Sequence, residues 1–165
     1  MNIKFESMND SHADGVMKVF NYYAENSTAA FPPKALPVPA YQMILKRSEG
    51  YPAYVLIDTD VDQIIGFVQL SAFNPIPTFK KATAYTCFIA PEYTGKKLGE
   101  LCLKKIEEDA RVQGIKIIIS DISSENDGSI RFHERYGFKR AGELKNIGEK
   151  LGRTFGIVYM QKDIA

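Results

Sequence analysis

Residues 91–100, PEYTGKKLGE, combine glycines, lysines and a proline in the way that an anion-binding turn requires. Pro91 ends the preceding apolar segment because it has no N–H to donate to a sheet. The glycines permit tight turns, and we expect a helix to begin near Lys96. The first amides of a helix lack intrahelical partners and lie at the positive end of its dipole. With Lys96 and Lys97 beside them, these amides predict a site for phosphate or pyrophosphate.

Two other interpretations fit the same ten residues. An ordinary strand-to-helix turn would also use glycine and lysine here. A nucleotide P-loop, G-x-x-x-x-G-K-[ST], is disfavoured, because Ala90 stands in place of its first glycine and Lys97 in place of its Ser or Thr, the usual Mg²⁺ ligand. This segment alone therefore leaves a phosphate site and a plain turn open.

The elements that would position this turn can be predicted from periodicity. Helical spacing covers about 10–26, 39–49, 96–113 and 126–137, whereas strand patterns cover 2–8, 52–58, 64–73, 78–90, 114–120, 137–145 and 153–161. Hairpins followed by a β-α-β crossover predict an α/β (α+β) fold with a mixed sheet. The chain has 165 residues, of which 45% are hydrophobic, so we expect one domain over 1–165.

The first helix and the connection after it have more specific signals. Asp10 and Ser11 can cap the helix, and His12 is expected to lie at the surface. The Pro-rich connection at 27–39 is too short for a domain linker and carries Phe31. Loops of this kind often lie over a functional site.

The helix predicted over 96–113 is amphipathic, with charges opposite one apolar face. That face is predicted to consist of Leu98, Leu101, Cys102, Ile106 and Ala110. The chain has two cysteines, Cys87 and Cys102, each within an apolar run and without a partner at metal spacing. Buried free thiols are therefore favoured over a disulfide or a metal pair.

The second block, SENDGSIRFHERYGFKRAGE, follows a short apolar strand. Together with the strand, turn and helix before it, this block resembles the core of the GNAT superfamily of acetyl-CoA-dependent N-acyltransferases. In that superfamily the pattern [QR]-x-x-G-x-[GA] opens the helix that binds the CoA pyrophosphate. The corresponding positions here are Thr94, Lys97 and Gly99, so only the last keeps the pattern.

Within the superfamily, the chain resembles the phosphinothricin-acetyltransferase-like group over nearly its whole length. The segment GEKLGRTFGIVYMQKDI is similar to the closing strand of that group. Thr154 and Gly156 depart from it, because the group carries Trp and Asp there. The resemblance implies a mostly antiparallel seven-stranded sheet with four helices, in which a splayed parallel strand pair, 86–90 and 116–120, holds CoA.

The resemblance also implies acetyl-CoA as cosubstrate, no metal, and a set of cofactor contacts. Those expected contacts are Cys87, Phe88, Ile89, Thr94, Gly95, Lys96, Lys97, Leu98, Gly99, Glu100, Asn126, Ser129 and His133. A backbone N–H within 87–89 is the expected oxyanion donor. Asn126 and Ser129 have an alternative role as helix caps.

The catalytic residues follow less directly from the resemblance. His133 occupies the position of a tyrosine that acts as the acid for the CoA thiolate in many members, although it could equally be a packed helix residue. The group's glutamate base corresponds to Ala84, so Tyr85 and Glu25 become the candidate bases, with a chain of water molecules as a further alternative. A tyrosine with a pKa near 10 is a poor base, and Glu25 could instead be a solvated helix-end charge. The candidate acceptor contacts are Phe31, Tyr85 and Arg153.

These features predict an N-acetyltransferase that acts on a primary amine of a small amino-acid-like or xenobiotic molecule, by direct attack in a ternary complex. The alternatives are a non-catalytic acyl-CoA-binding module and an acetyltransferase for a protein or peptide amine. A net charge of +1 gives no case for nucleic acid or an anionic membrane. No secretory h-region or membrane-length apolar run is visible, so we expect a cytoplasmic protein. The resemblance implies a homodimer.

Overall fold

Seven strands form a single mixed sheet in the computed structural model, which describes residues 1–165. The spatial order is β1-β2-β3-β4-β5-β7-β6, and every neighbouring pair is antiparallel except β4 and β5. The strands are β1 Ile3–Ser7, β2 Ala53–Asp58, β3 Gln63–Ala72, β4 Ala82–Ile89, β5 Ile117–Ser123, β6 Lys139–Lys150 and β7 Arg153–Asp163. The helices are α1 Ala13–Asn26, α2 Tyr41–Arg47, α3 Leu98–Val112 and α4 Asp127–Arg135. The predicted fold class, strand number and helix number are confirmed.

The helices cover both faces of the sheet and divide the core into two layers. The larger layer packs α3 and α4 against the sheet, and Leu70, Ile106, Ile118 and Met160 are fully buried there. The smaller layer lies on the opposite face, beneath α1 and α2, and includes Val16, Met17, Tyr41, Val55 and Phe67. Alternate residues of a strand therefore face different helices, which assigns each side chain near β4 and β5 to one side of the sheet. No helix is long and apolar enough to cross a membrane.

The start of α1 differs from the sequence expectation. A short 3-10 turn precedes the helix, and its cap is Asn9, whose side chain accepts the Ser11 N–H at 2.9 Å. The expectation that His12 is a surface residue was wrong, because only 4% of it is exposed. His12 Nδ1 accepts the Asn9 N–H at 3.1 Å, and Nε2 lies 2.9 Å from the Glu6 carboxylate. A local reciprocal cap thus buries a histidine that the helical pattern alone would leave outside.

The start of α3 also differs, because the helix begins at Leu98 rather than near Lys96. Lys97 has φ 62°, a left-handed conformation that cannot continue a right-handed helix. The predicted apolar face was wrong at Leu101, which is 44% exposed, while Leu103 is buried instead. The remaining members of the predicted face are buried.

The strand expected at 114–120 lies further along the chain, at Ile117–Ser123. Gly114 has φ 78° and ends the turn after α3, so pairing with β4 begins only at Ile117. This shift brings Asp121 into the strand, beyond the predicted end. The chain's two cysteines are free thiols as expected, with Cys102 buried and Cys87 half-buried.

Candidate functional site

The parallel pair β4–β5 opens partway along its length. The two strands pair at Ala82↔Ile117, Thr83↔Ile118 and Ala84↔Ile119, and no pair follows. Beyond that point β4 still pairs with β3, and β5 still pairs with β7. The two strands therefore separate as expected and leave a wedge-shaped gap in the middle of the sheet. On β5, however, the open part begins after Ile119, so most of the predicted segment 116–120 is still paired with β4.

The backbone of β4 presents unpaired groups to this gap. The Ala90 N–H donates to Ile65 of β3 at 2.7 Å, so β4 residues of even number direct their N–H and C=O toward β3. Residues of odd number, including Cys87 and Ile89, therefore direct theirs toward the gap. The Ile89 carbonyl accepts the Tyr23 hydroxyl, whereas both backbone groups of Cys87 lie free for an extended ligand. Phe88 directs its backbone toward β3, so it could contribute only by packing.

The loop between β4 and α3 lies at the end of the gap. Thr94 turns its hydroxyl back to the Pro91 carbonyl at 2.8 Å, and Gly95 adopts φ 77°. The Lys96 ammonium lies 5.4 Å from the centre of the Tyr93 ring, while Lys97 is exposed and has no side-chain cap hydrogen bond to α3. Gly95 and Lys97 thus place two left-handed residues close together, and backbone turns of this kind can gather successive amides around an anion. The predicted phosphate site thus has its exposed lysines and its helix N-terminus in one place.

Three residues in the first turn of α3 have structural roles of their own. A Cβ at Gly99 would lie 3.3 Å from the Phe132 ring, so glycine allows α3 and α4 to approach closely. Glu100 accepts the Tyr136 hydroxyl at 3.0 Å and pairs with Lys104 at 3.0 Å. Leu98 is buried in the larger core layer. These three predicted contacts therefore also shape the junction between the two helices.

Asn126 caps the start of α4, the role given above as the alternative to a CoA contact. Asn126 Oδ1 accepts the Ser129 N–H at 3.1 Å. The His133 ring follows one turn later, with Nδ1 2.7 Å from the Ser129 carbonyl and Nε2 2.9 Å from the Ser120 hydroxyl. Nδ1 therefore donates to the carbonyl, and Nε2 accepts from Ser120. Both nitrogens of the ring are therefore occupied. Burial lowers the pKa of His133, which favours the neutral ring at neutral pH.

Tyr85 lies on the same face of the sheet as α3, with a buried hydroxyl that has no hydrogen-bond partner. Burial first, and the neighbouring Cys87 second, raise its pKa well above the usual 10. The neighbouring Cys102 thiol lowers the pKa of Cys87, while Cys87 and burial raise the pKa of Cys102. Tyr85 is consequently buried among weak acids and is a poor proton acceptor.

The Pro-rich connection is fastened at several points to the end of α1 and to the β6–β7 turn. The Glu25 carboxylate accepts the Ala35 N–H at 2.9 Å, so this candidate base has a structural contact in the loop. The Lys150 ammonium is buried and donates to the Ala30 carbonyl at 2.6 Å. Burial lowers the pKa of Lys150, and the charge of Glu25 partly offsets this effect. The loop therefore has a defined position on the α1 face of the sheet.

The two remaining candidate acceptor contacts border the same loop. Phe31 is exposed and stacks on Phe155 of β7 with 6.3 Å between ring centres. Arg153 Nε lies 3.0 and 2.9 Å from the two carboxylate oxygens of Glu125, so its positive charge is compensated. Phe31 and Arg153 thus lie on the loop side of the sheet, whereas Tyr85 faces α3.

Asp121 is a residue of this region that the sequence analysis missed. It lies two residues beyond Ile119, the last β5 residue paired with β4, and its side chain is exposed. The protein atoms around the carboxylate nevertheless remove part of its water and raise its pKa, while its own backbone amide and the charge of Arg47 act in the opposite direction. The only sequence signal was an acidic residue directly after an apolar strand.

Comparison with known proteins agrees with this geometry. Residues 16–138 match the model of the acetyltransferase (GNAT) family. An L-methionine sulfoximine/L-methionine sulfone acetyltransferase from Pseudomonas aeruginosa is 26% identical over 152 residues, which cover 91% of this chain and 88% of the relative. A phosphinothricin N-acetyltransferase from Streptomyces coelicolor is 22% identical over 149 residues, which cover 88% of this chain and 87% of that protein.

Solved structures share the fold over almost the whole chain. A phosphinothricin acetyltransferase from Sinorhizobium meliloti, determined in complex with AcCoA, superposes with a TM-score of 0.91 at 21% identity, covering 99% of this chain and 89% of that one. An N-acetyltransferase from Staphylococcus aureus Mu50 superposes with a TM-score of 0.90 at 20% identity, covering 100% of both chains. At these identities the superpositions establish a common fold.

Proposed function

The chain belongs to the acetyltransferase (GNAT) family, and we propose that it transfers the acetyl group of acetyl-CoA to the primary amine of a small amino-acid-like molecule. The single observation that carries the proposal is the opening of β4 and β5 after Ala84 and Ile119, beside the loop of α3. The names of the relatives from Pseudomonas and Streptomyces support the amino-acid-like acceptor.

The residues present fit acetyl-CoA. The free N–H and C=O of Cys87 can continue a ladder of hydrogen bonds with the amides of an extended pantetheine chain. The loop at 94–97 would supply backbone amides and two lysines for the pyrophosphate. An N–H of the 87–89 segment remains our candidate oxyanion donor, because Cys87 directs its N–H into the gap.

The catalytic assignments made from the sequence have unequal support. His133 is neutral and hydrogen-bonded at both nitrogens, so we infer that it holds α4 in position against β5 rather than donating a proton to the thiolate. The raised pKa of Tyr85 argues against a role as base. Glu25 is exposed and close to the loop, but its carboxylate has a hydrogen bond to Ala35. The thiolate, with a pKa near 8.5, leaves without strong acid assistance.

Turnover with a panel of amines tests the proposed function. The purified protein would be incubated with acetyl-CoA and L-methionine sulfoximine, L-methionine sulfone, phosphinothricin, a polyamine or a peptide with a free N-terminus. We expect thiol release and an acetylated product, identified by mass spectrometry, with at least one amino-acid-like amine. Its kcat/KM should exceed that of the polyamine and the peptide by about tenfold or more, which corresponds to about 1.4 kcal/mol. Turnover of the peptide alone would overturn the proposed acceptor class.

A homodimer and a cytoplasmic location remain predictions. The edge strand β6 exposes Leu144 and Ile147, and an exposed apolar edge can pair with a second copy. Light scattering coupled to size-exclusion chromatography would measure the mass in solution. A mass of about 18.5 kDa, that of one chain, would refute the dimer.

A further inference from the structure

Asp121 lies at the start of the gap between β4 and β5, on the face of the sheet that carries α1 and the Pro-rich connection. Its neighbours Ser120 and Ile122 are buried and face α3 and α4, so Asp121 points to the opposite face. Ser123 shares that face, and its hydroxyl lies 2.7 Å from the Thr28 hydroxyl of the Pro-rich connection. The Asp121 carboxylate therefore shares a face with α1 and the loop that follows it.

The register relates Asp121 to the position where β4 lacks a carboxylate. Ala84 pairs with Ile119, and in a parallel pair both residues point to the same face. Asp121 follows Ile119 by two residues, so it lies on that face about 7 Å further along the strand. A carboxylate is thus present on the other wall of the same gap, just where the strands separate.

The Asp121 carboxylate is free, in contrast to the carboxylates of Glu25 and Glu125. Its side chain forms no hydrogen bond or ion pair with another residue. Glu25 accepts the Ala35 N–H, and Glu125 is held by Arg153. Because neighbouring atoms remove water from the Asp121 carboxylate and raise its pKa, it is a better proton acceptor than an ordinary surface aspartate.

Arg47 supplies the opposite charge. It ends α2 on the same side of the sheet, and its charge acts on the Asp121 carboxylate. The two side chains do not form an ion pair, and Arg47 has no other acidic partner. An acidic and a basic group on the same face of the sheet, with no ion pair between them, match a ligand that carries both charges, as an amino acid does.

We propose that Asp121 binds the ammonium group of the acceptor and takes up its proton, while Arg47 binds the acceptor's carboxylate. This inference rests on the acetyl transfer proposed above. The ammonium gives one proton to Asp121, and the freed lone pair forms the C–N bond with the thioester carbonyl carbon. The C–S bond then breaks, the second amine proton goes to the CoA sulfur, and Asp121 releases its proton to water.

The test compares Asp121→Asn with Asp14→Asn, a control that removes an exposed carboxylate from the first turn of α1. L-methionine sulfoximine is the probe, and acetyl-CoA binding is measured separately by calorimetry. We expect Asp121→Asn to lower kcat/KM by at least about 100-fold, the usual effect of removing a general base, with unchanged acetyl-CoA affinity. The Asp14→Asn control and the wild type should agree within about threefold. Asp121→Glu keeps a carboxylate and should exceed Asp121→Asn in activity by at least tenfold.

Arg47→Gln tests the other charge, with Lys46→Gln as its exposed neighbour on α2. We expect Arg47→Gln to raise KM for L-methionine sulfoximine by at least tenfold, and to leave KM unchanged for its α-carboxamide, which has no carboxylate. Wild-type activity in Asp121→Asn would overturn the inference and leave the transferase intact. Loss of acetyl-CoA binding in both Asp121 variants would also overturn it, because the role would then be structural. A wild type that acetylates no amine would overturn the proposed function and this inference together.

Discussion

Replacing Lys97 with glycine should stabilise the protein and weaken acetyl-CoA binding. Lys97 adopts φ 62° at the start of α3, is exposed, and makes no side-chain cap hydrogen bond. In this left-handed conformation the Cβ lies too close to the following carbonyl oxygen, which costs about 1–2 kcal/mol. Glycine has no Cβ and adopts the same conformation without that cost.

The expected gain is smaller than the relieved strain, because glycine is more flexible in the unfolded chain. That flexibility costs about 0.5–1 kcal/mol on folding. The net stabilisation should therefore be about 0.5–1 kcal/mol, or roughly 1–4 °C in Tm for a domain of this size. The lost charge should weaken acetyl-CoA binding by about fivefold, since one charge about 4 Å from a phosphate contributes about 1 kcal/mol in water.

Lys96→Gly is the matched control, because it removes the same charge from a neighbouring residue whose φ is not positive. It should lower the free energy of unfolding by about 0.5–1 kcal/mol and weaken acetyl-CoA binding to a similar degree. Urea unfolding without ligand measures the stability, and calorimetry measures the affinity. If Lys97→Gly were less stable than the wild type, or if Lys96→Gly gained equally, the argument from left-handed strain would be refuted.

Three further predictions concern the loop anchor, the final hairpin and alkaline pH. Lys150→Met should lower the free energy of unfolding by about 1–3 kcal/mol in urea unfolding and raise KM for the acceptor, because the Ala30 carbonyl loses a charged donor. Lys145→Met, at an exposed position, should change neither quantity. Gly156→Asp should lower the free energy of unfolding by about 3 kcal/mol or more, because a Cβ there would overlap the Leu144 carbonyl oxygen. A Cβ at Gly142 would meet no atom, so Gly142→Ala should cost under about 1 kcal/mol. Equal losses in the two variants would contradict this. Burial raises the pKa values of three tyrosines to about 12, so the folded state favours their neutral form. The free energy of unfolding should therefore be constant below about pH 10 and fall as the pH rises toward 12. A urea midpoint that stays constant over that range would disprove this. These tyrosines are Tyr23, Tyr41 and Tyr54.

Much of the fold followed from local patterns. The 3.6-residue and two-residue periodicities predicted α1 and β3 to within a few residues, because burial of one face imposes the same spacing wherever the element lies. The helix predicted over 126–137 is present as α4, and Gly137, with φ 96°, follows it at the end of the predicted range. The errors at His12 and Lys97 concern single residues at helix starts, where capping bonds and one backbone angle override the periodic pattern.

The sequence by itself determined the order of elements, the glycine- and lysine-rich turn before α3 and the absence of a carboxylate at Ala84. Only the tertiary structure decided which polar groups meet. The engagement of His133 with Ser120 depends on α4 packing across β5, and the place of Asp121 depends on where β4 and β5 separate. Those contacts join residues far apart in the chain, so no spacing within one segment records them. Local propensity acts over a few residues, whereas strand register is set by the whole sheet.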